Sequence, residues 1–309
     1  MSGLSIRLRE SSAGLFLALL LAFSLVPSGV SAQTDDALES ITLSPSGKRY
    51  QLDAGSVTQD KLTILNDGST TYNFIVYARP YVIQNNDYTD PKFDRVENAE
   101  EGRAFRGDAY EWVQLTQSRW TIEPGQTLEI PFTLRVPANE TPGGHYGVIF
   151  AETQPEAANS TSVVRKKRVG SIIYATVNGT YTTGGQSLGI EIPGLQFRSP
   201  LTSKMIVENS GNADFEATLT MRVSDLFGGV KYEEEKRYIV LPETTREMTM
   251  EWKDAPWFGL FKVQFSGTYL DKNESKDAYV LMIPRWMLVV LGVVVVGGGV
   301  YVTLRRRKR

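Results

Sequence analysis

The sequence predicts an all-β fold: two tandem Ig-like antiparallel β-sandwiches followed by one C-terminal transmembrane helix. Three observations carry this. Short runs alternate apolar and polar residues, as in "TLEIPFTLRV", where Leu128, Ile130, Phe132, Leu134 and Val136 share one face. A period of two marks a strand with one buried side. Turn signals such as "NDGS" (Asn66 to Ser69), "EPGQ" (Glu123 to Gln126), "NSGN" (Asn209 to Asn212) and "FGG" (Phe227 to Gly229) punctuate these runs, as in sandwiches of short strands. The two halves also match each other, and no soluble amphipathic helix stands out.

Residues 1–32 read as a secretory signal. Arg7 and Arg9 precede the apolar "AGLFLALLLAFSLV", Pro27-Ser28-Gly29 break it, and Val30-Ser31-Ala32 offer small residues for cleavage after Ala32. A linker, 33–40, leads to a first sandwich over 41–183 with an insert at 83–108, then a second over 184–284. In the first, Pro131 interrupts the alternating strand, which places that strand at an edge or at a bulge. The second repeats the alternation in "DFEATLTMRV" through Phe215, Ala217, Leu219, Met221 and Val223.

The segment 285–304 reads as the membrane span. Trp286 to Leu304 are uncharged and long enough for a bilayer's hydrocarbon core, and the glycines at 297–299 are tolerable in lipid. The basic tail 305–309, "RRRKR", resists translocation. The chain is therefore expected to be a single-pass type I protein of the cell membrane, its ectodomain extracellular and its C-terminus cytoplasmic.

The internal match has three parts. "LTILNDG" (Leu62 to Gly68) aligns with "MIVENSG" (Met205 to Gly211), with Asn66 over Asn209 at an offset of 143. "EPGQTLEIPFTL" aligns with "LPETTREMTMEW" at an offset of 118. "GHYGVIF" aligns with "GLFKVQF" at an offset of 115, setting Gly144, Tyr146, Val148 and Phe150 over Gly259, Phe261, Val263 and Phe265. Falling offsets mean that the first copy carries extra residues between its early strands and its "EPG" turn. They fall in the polar, acidic stretch Ile83 to Asp108, and a long excursion from a compact sandwich is functional or disordered.

The order of these features resembles the WxL-interacting proteins of Gram-positive cell surfaces. The residues that carry the resemblance are the exported start, the "P-G-Q-T" turn, "P-x-x-x-x-P-G-G-x-Y-G-V-I-F" (Pro137 to Phe150), "E-N-S-G-N", "V-L-P-E-T-T-R-E" (Val240 to Glu247) and the single span with its basic tail. The resemblance implies a non-enzymatic binding or scaffold protein of the cell surface. Its first domain would contact peptidoglycan and its second other surface or host proteins, WxL-type proteins among them. The alternative class is an extracytoplasmic accessory or chaperone-like subunit of a membrane complex, and a wall-active hydrolase is the third.

Composition narrows the chemistry. Setting aside Arg7, Arg9, Glu10, Arg285 and the five tail cations leaves 25 basic and 34 acidic residues in the ectodomain, a poor balance for binding nucleic acid. With no cysteine the exported chain forms no disulfides and needs real hydrophobic cores. One histidine and no cysteine exclude the usual zinc sets, and no partner pattern for a serine triad is present. Carboxylates are plentiful enough for a two-acid glycosidase, but no pair stands at a strand end in a recognisable frame. The expectation is no enzyme, no cofactor and no metal.

The ligand-contacting candidates lie in the insert: Asn85, Asn86, Asp87, Tyr88, Asp90, Phe93 and Asp94. Aromatics among polar groups suit a glycan or protein contact. Asp87, Asp90 and Asp94 are oxygen ligands of the kind calcium prefers, without EF-hand spacing, and a solvated acidic loop is the competing reading. "LPET" (Leu241 to Thr244) opens like a sortase signal, but Thr245 follows it and the span begins some forty residues later, so it reads as a turn. "RKKR" (Arg165 to Arg168) reads as a cationic strand start facing water. Sequons stand at Asn139, Asn159, Asn178 and Asn273. His145 falls over Leu260 in the internal match. Gly143 and Gly144 supply the turn into a strand whose Tyr146, Val148 and Phe150 share a face, so His145 reads as structural.

Overall fold

The architecture comes from a computed structural model that describes residues 40–94, 107–154 and 166–307. The expected signal peptide, residues 33–39 of the linker, the middle of the insert, Asn159, Arg165 and the last two tail residues lie outside this set.

Period-two patterning makes the chain almost entirely strand. With strands numbered along the chain, one sheet of the first sandwich is β1 (Thr42–Ser44), β3 (Val57–Leu65), β7 (Thr127–Arg135) and β5 (Val113–Leu115), in the order β1-β3-β7-β5. The facing sheet is β2 (Gly47–Leu52), β9 (Arg168–Val177), β8 (Gly143–Thr153), β4 (Tyr72–Pro80) and β6 (Arg119–Ile122), in the order β2-β9-β8-β4-β6. The second sandwich sets β10 (Gly185–Glu191), β12 (Leu201–Asn209) and β15 (Thr244–Trp252), ordered β10-β12-β15, against a five-stranded sheet. That sheet is β11 (Leu195–Gln196), β17 (Lys272–Met282), β16 (Gly259–Tyr269), β13 (Phe215–Ser224) and β14 (Val230–Val240), ordered β11-β17-β16-β13-β14.

The two sandwiches share one wiring. β3, β4, β7, β8 and β9 hold the places that β12, β13, β15, β16 and β17 hold in the second. In each, a short strand joins the far edge in parallel, β2 on β9 and β11 on β17. The shared "N-x-G" turn has a shared cause. Buried Asn66 donates to the carbonyls of Thr70 and Ile122 and accepts from Gly68 N at 3.0 Å. Buried Asn209 donates to the carbonyls of Ala213 and Val240 and accepts from Gly211 N at 2.8 Å. One amide thus satisfies three main-chain groups where the strand bends from one sheet to the other.

Each sandwich closes its own core. Ile64, Phe74, Ile130, Leu134, Ile149 and Ala151 fill the first, and Met205, Leu219, Met221, Met250, Val263 and Phe265 the second. Burying a side chain the size of Phe74 stabilises by about 1.5–3 kcal/mol. Pro131 is accommodated at a partial edge: β7 pairs with β3 throughout, while β5 joins it only from Phe132 to Leu134.

β8 departs from alternation. Ten of its eleven residues are buried, because both of its faces are covered. One face, with Ile149 and Ala151, joins Ala109 and Trp112 of a 3₁₀ turn (Ala109–Trp112) in the first core, and the other, with Tyr146 and Phe150, is covered by Tyr81, Phe93 and Leu241. Its counterpart β16 has no such cover and alternates buried with open positions.

A helix, Arg285–Arg307, follows β17 after Ile283 and Pro284. Among the residues whose side chains are described, which omit Leu291, residues 300–305 and Arg307, no helix is long and apolar enough to cross a membrane.

Candidate functional site

The described start of the insert, residues 83–94, folds back on the sandwiches. The main chains of Val82 and Lys92 exchange hydrogen bonds, closing a loop over residues 83–91. Asn85 and Asn86 occupy the left-handed region, with φ of 53° and 60°, which asparagine tolerates better than most residues. This turn carries Asn86 and Tyr88 to the second sandwich.

There the candidate residues are spent on an intramolecular contact. Asn86 Oδ1 accepts from Thr245 N at 3.0 Å. The Tyr88 hydroxyl accepts from Leu241 N at 2.9 Å and lies 2.5 Å from Thr244 Oγ1. Because Thr244 Oγ1 gives its hydrogen to the Leu241 carbonyl, Tyr88 donates to Thr244. The Arg246 guanidinium sits 4.2 Å from the Tyr88 ring centroid, a cation–π contact. Phe93 packs edge-on against Phe150 at 4.9 Å. Tyr81, Ile83, Tyr146 and Leu241 form a small apolar cluster between the sandwiches, flanked by Tyr88, Phe93 and Tyr174. Burial pushes the Tyr88 hydroxyl above the ordinary phenol value.

The remaining candidates stay at the surface. Asn85, Asp87, Asp90 and Asp94 are exposed. Asp87 Oδ1 accepts from the backbone and the hydroxyl of Thr89, and Asp90 pairs with Lys92. Asp87, Asp90 and Asp94 do not converge into a shared ion site.

A second group of contacts centres on Asp214, whose side chain is fully buried. The Tyr146 hydroxyl donates to Asp214 Oδ1 at 2.9 Å. Arg49 Nη2 lies 2.7 Å from Oδ2 and also donates to the Asp214 carbonyl at 3.3 Å. Oδ2 therefore sits directly against the guanidinium charge. Burial raises the Asp214 carboxyl above its usual range, opposed by Arg49 and Tyr146. The Tyr146 hydroxyl is raised well above its ordinary value, first by burial and then by the Asp214 charge.

Glycines bring the strand start close enough for this. Gly144 N donates to the Asn212 carbonyl at 2.8 Å. Gly143 has φ +123°, and a Cβ there would stand 2.8 Å from the same oxygen. At Gly144 a Cβ would overlap the Tyr146 hydroxyl, and at Gly259 one would stand 2.7 Å from Phe261 Cζ. The aromatic two residues on lies over the glycine in both copies, but strand register shifts the expected match by one residue: Gly143, not Gly144, stands where Gly259 does, so Tyr146 faces away from the first core while Phe261 lines the second.

His145 ties the insert's end to β8. Its Nδ1 is 2.9 Å from Asp108 Oδ1, its Nε2 is 2.9 Å from the Thr141 carbonyl, and its ring centroid is 4.9 Å from that of Trp112. With both nitrogens facing acceptors, the ring is built into the structure rather than held free for proton transfer. Asp108, Glu140 and His145 offer ligand atoms within 4.8 Å of one another, and an ion there would have to break these hydrogen bonds. Leu241 and Thr244 of "LPET" are buried in the joint, and Glu243 takes a left-handed turn, φ 53°. In the "RKKR" stretch, Lys166 pairs with Glu152 at 3.4 Å, and the Arg168 guanidinium lies 4.4 Å from the Phe150 ring centroid. Arg49 and Asp214 carried no sequence motif.

No protein-family model matches the chain, and no curated protein does. Among solved structures, the class 5 fimbriae chaperone CfaA is similar at 10% identity and a TM-score of 0.38, over 78% of this chain and 99% of that one. The Escherichia coli chaperone DraB gives 12%, 0.36, 78% and 97%. A PapD-like domain of human CEP192 gives 11%, 0.30, 45% and 86%.

Proposed function

We propose that this chain is a non-enzymatic, membrane-anchored binding protein, with two Ig-like sandwiches held outside the membrane by the helix at Arg285–Arg307 and acting as one arm. Its role on this reading is that of an extracytoplasmic accessory or chaperone-like subunit whose partners are proteins.

The joint is the observation that carries this reading. It uses the aromatic residues that a glycan surface on the insert would need: Tyr88 reaches Thr244 and Leu241, and Phe93 packs on Phe150. What the arm leaves open suits protein partners better. Among the described residues β14 has a ladder partner only in β13, whereas β5 lines part of the outer edge of β7 and side chains of Asn86, Tyr238 and Tyr232 cap the outer edge of β15. Unpaired strand edges accept an extended segment of another chain. The charges of Glu233, Glu234, Glu235, Lys236 and Arg237 on β14 would restrict which segment fits.

The second reading is the wall-binding one, which the WxL-interacting resemblance favours. Two experiments separate them. Sedimentation of the ectodomain with insoluble peptidoglycan, above the level of an unrelated β-sandwich, supports wall binding. A photo-cross-linking residue at Glu233 or Glu235 on β14, both exposed, that yields one defined protein adduct on intact cells supports the accessory reading. Wall retention without an adduct would overturn it.

A further inference from the structure

The exposed large apolar side chains of the second sandwich gather at one end. Strand register defines that end: Leu201 lies opposite Trp252, Ser224 opposite Lys262, and Gly259 opposite Met282. The β13–β14 turn, the β15–β16 loop, the start of β16 and the end of β17 therefore meet there. Leu195, Leu281 and Leu260 sit directly opposite one another on three adjacent strands, all exposed. In the β15–β16 loop Trp257 is 60% exposed with Phe258 beside it, and in the β13–β14 turn Phe227 is 97% exposed next to exposed Leu226. Phe227 is held outward by its turn: Asp225 Oδ1 accepts from Phe227 N at 2.9 Å and Gly229 N at 2.8 Å, around Gly228 at φ +83°.

This end is also where the chain enters its helix. The ring centroids of Trp257 and Trp286 are 6.1 Å apart, and the Arg285 guanidinium lies 5.3 Å from the Phe197 ring centroid. Only Ile283 and Pro284 separate β17 from the helix. Fully extended, two residues span about 7 Å. Whatever surface the helix enters lies within that reach of the leucine row. The opposite end of the sandwich is already occupied, since Asn212, Asp214, Leu241 and Thr244 contact the first sandwich.

Equivalent positions in the two copies sharpen this. The start of β8 docks on the second sandwich through Gly144 and Tyr146. By strand register Gly144, which donates to the Asn212 carbonyl, stands where Leu260 stands in the second copy, and Leu260 is open. The same end of the fold that packs on protein in the first copy is bare and apolar in the second. Tryptophan and phenylalanine beside arginine and lysine suit the headgroup layer of a bilayer. Arg198, Lys253 and Arg285 are exposed here; Asp225 pairs with Lys231 at 3.0 Å, leaving Asp254 as the exposed acid in the β15–β16 loop.

We propose that this end docks onto the surface of the bilayer that the helix enters, with Phe227, Trp257 and the leucine row at the headgroup–acyl boundary, so that the arm stands on a footing wider than one helix. The inference rests on the anchoring reading above.

Because the chain has no cysteine, single nitroxide labels can be placed on the full-length protein in vesicles of phosphatidylcholine and phosphatidylglycerol. Labels go at Phe227, Trp257, Val294 in the helix and Val57 in the first sandwich, and electron paramagnetic resonance reads their access to oxygen and to a water-soluble nickel chelate. Labels at 227 and 257 are expected about 5–10 Å inside the headgroup boundary, with Val57 in water. Protection at Val294 with full nickel access at 227 and 257 overturns the docking and leaves the anchor standing. Nickel access at Val294 overturns the anchor itself. Protection of 227 and 257 from both reagents, growing with protein-to-lipid ratio, would assign the patch to a second copy and overturn the lipid assignment. F227S touches an almost wholly exposed side chain, so it keeps the fold while making the label at 257 shallower.

Discussion

Replacing Tyr146 with phenylalanine removes one hydroxyl from the joint and little else. That hydroxyl gives Asp214 Oδ1 its hydrogen bond at 2.9 Å. The variant leaves a buried carboxylate facing the Arg49 guanidinium, 2.7 Å from Oδ2, without its hydroxyl donor. A hydrogen bond to a charged group is worth about 1.5–3 kcal/mol. For a protein of this size that corresponds to a fall in Tm of about 3–12 °C. At pH low enough to protonate Asp214 the lost bond is one between neutral groups, worth about 0.5–1.5 kcal/mol, so the difference between Y146F and wild type shrinks on acidification. Scanning calorimetry of both proteins across acid and neutral pH reads this directly. A loss below about 0.5 kcal/mol at neutral pH, or one that does not change with pH, would refute the role assigned to the Tyr146–Asp214 contact.

Four further outcomes follow from the same contacts. Because the Asp214 carboxyl is raised by burial, the folded chain holds its proton to higher pH than the unfolded chain. Its contribution is most favourable below the ordinary carboxylate value and is lost as pH rises through the raised one. D214N should flatten that part of the stability–pH curve, which urea titrations across the range would show. Tyr88→Ala should open the joint while leaving both cores intact, seen as faster limited proteolysis between the sandwiches with unchanged far-ultraviolet circular dichroism. N66A and N209A should each cost about 2–3 kcal/mol in chemical denaturation, since three main-chain groups lose their partner in either copy. Added calcium should leave Tm unchanged, because Asp87, Asp90 and Asp94 do not converge; a concentration-dependent rise in calorimetry would restore the calcium reading.

The strands were legible in the sequence wherever one face is buried and the other wet. "TLEIPFTLRV" and "DFEATLTMRV" show that alternation, and β7 and β13 follow it. β8 was legible as an apolar run but not as a strand covered on both faces, because its outer cover comes from Tyr81, Phe93 and Leu241, far from it in the chain. The insert was read as a projecting surface for a ligand. Its composition gives no sign that a left-handed Asn85-Asn86 turn carries Tyr88 back to Thr244, since that contact spans 156 residues. Asp214 was missed for a related reason. A carboxylate looks solvated in any one-dimensional pattern, and only the partner Arg49, 165 residues away, makes its burial intelligible. The clue available was the difference between copies: the offset of 143 puts Asp214 over Thr71, an acid against a neutral residue beside a shared turn.

That the two sandwiches form one arm is tested most directly by the spread of distances between them. Spin labels at Val57 in the first sandwich and Tyr279 in the second, both exposed in the native fold, can be read by double electron–electron resonance on the otherwise cysteine-free chain. The account predicts one narrow distribution for the wild type and a broad one when Tyr88→Ala and Tyr146→Phe are combined. A wild-type distribution already as broad as that of the double variant would contradict it.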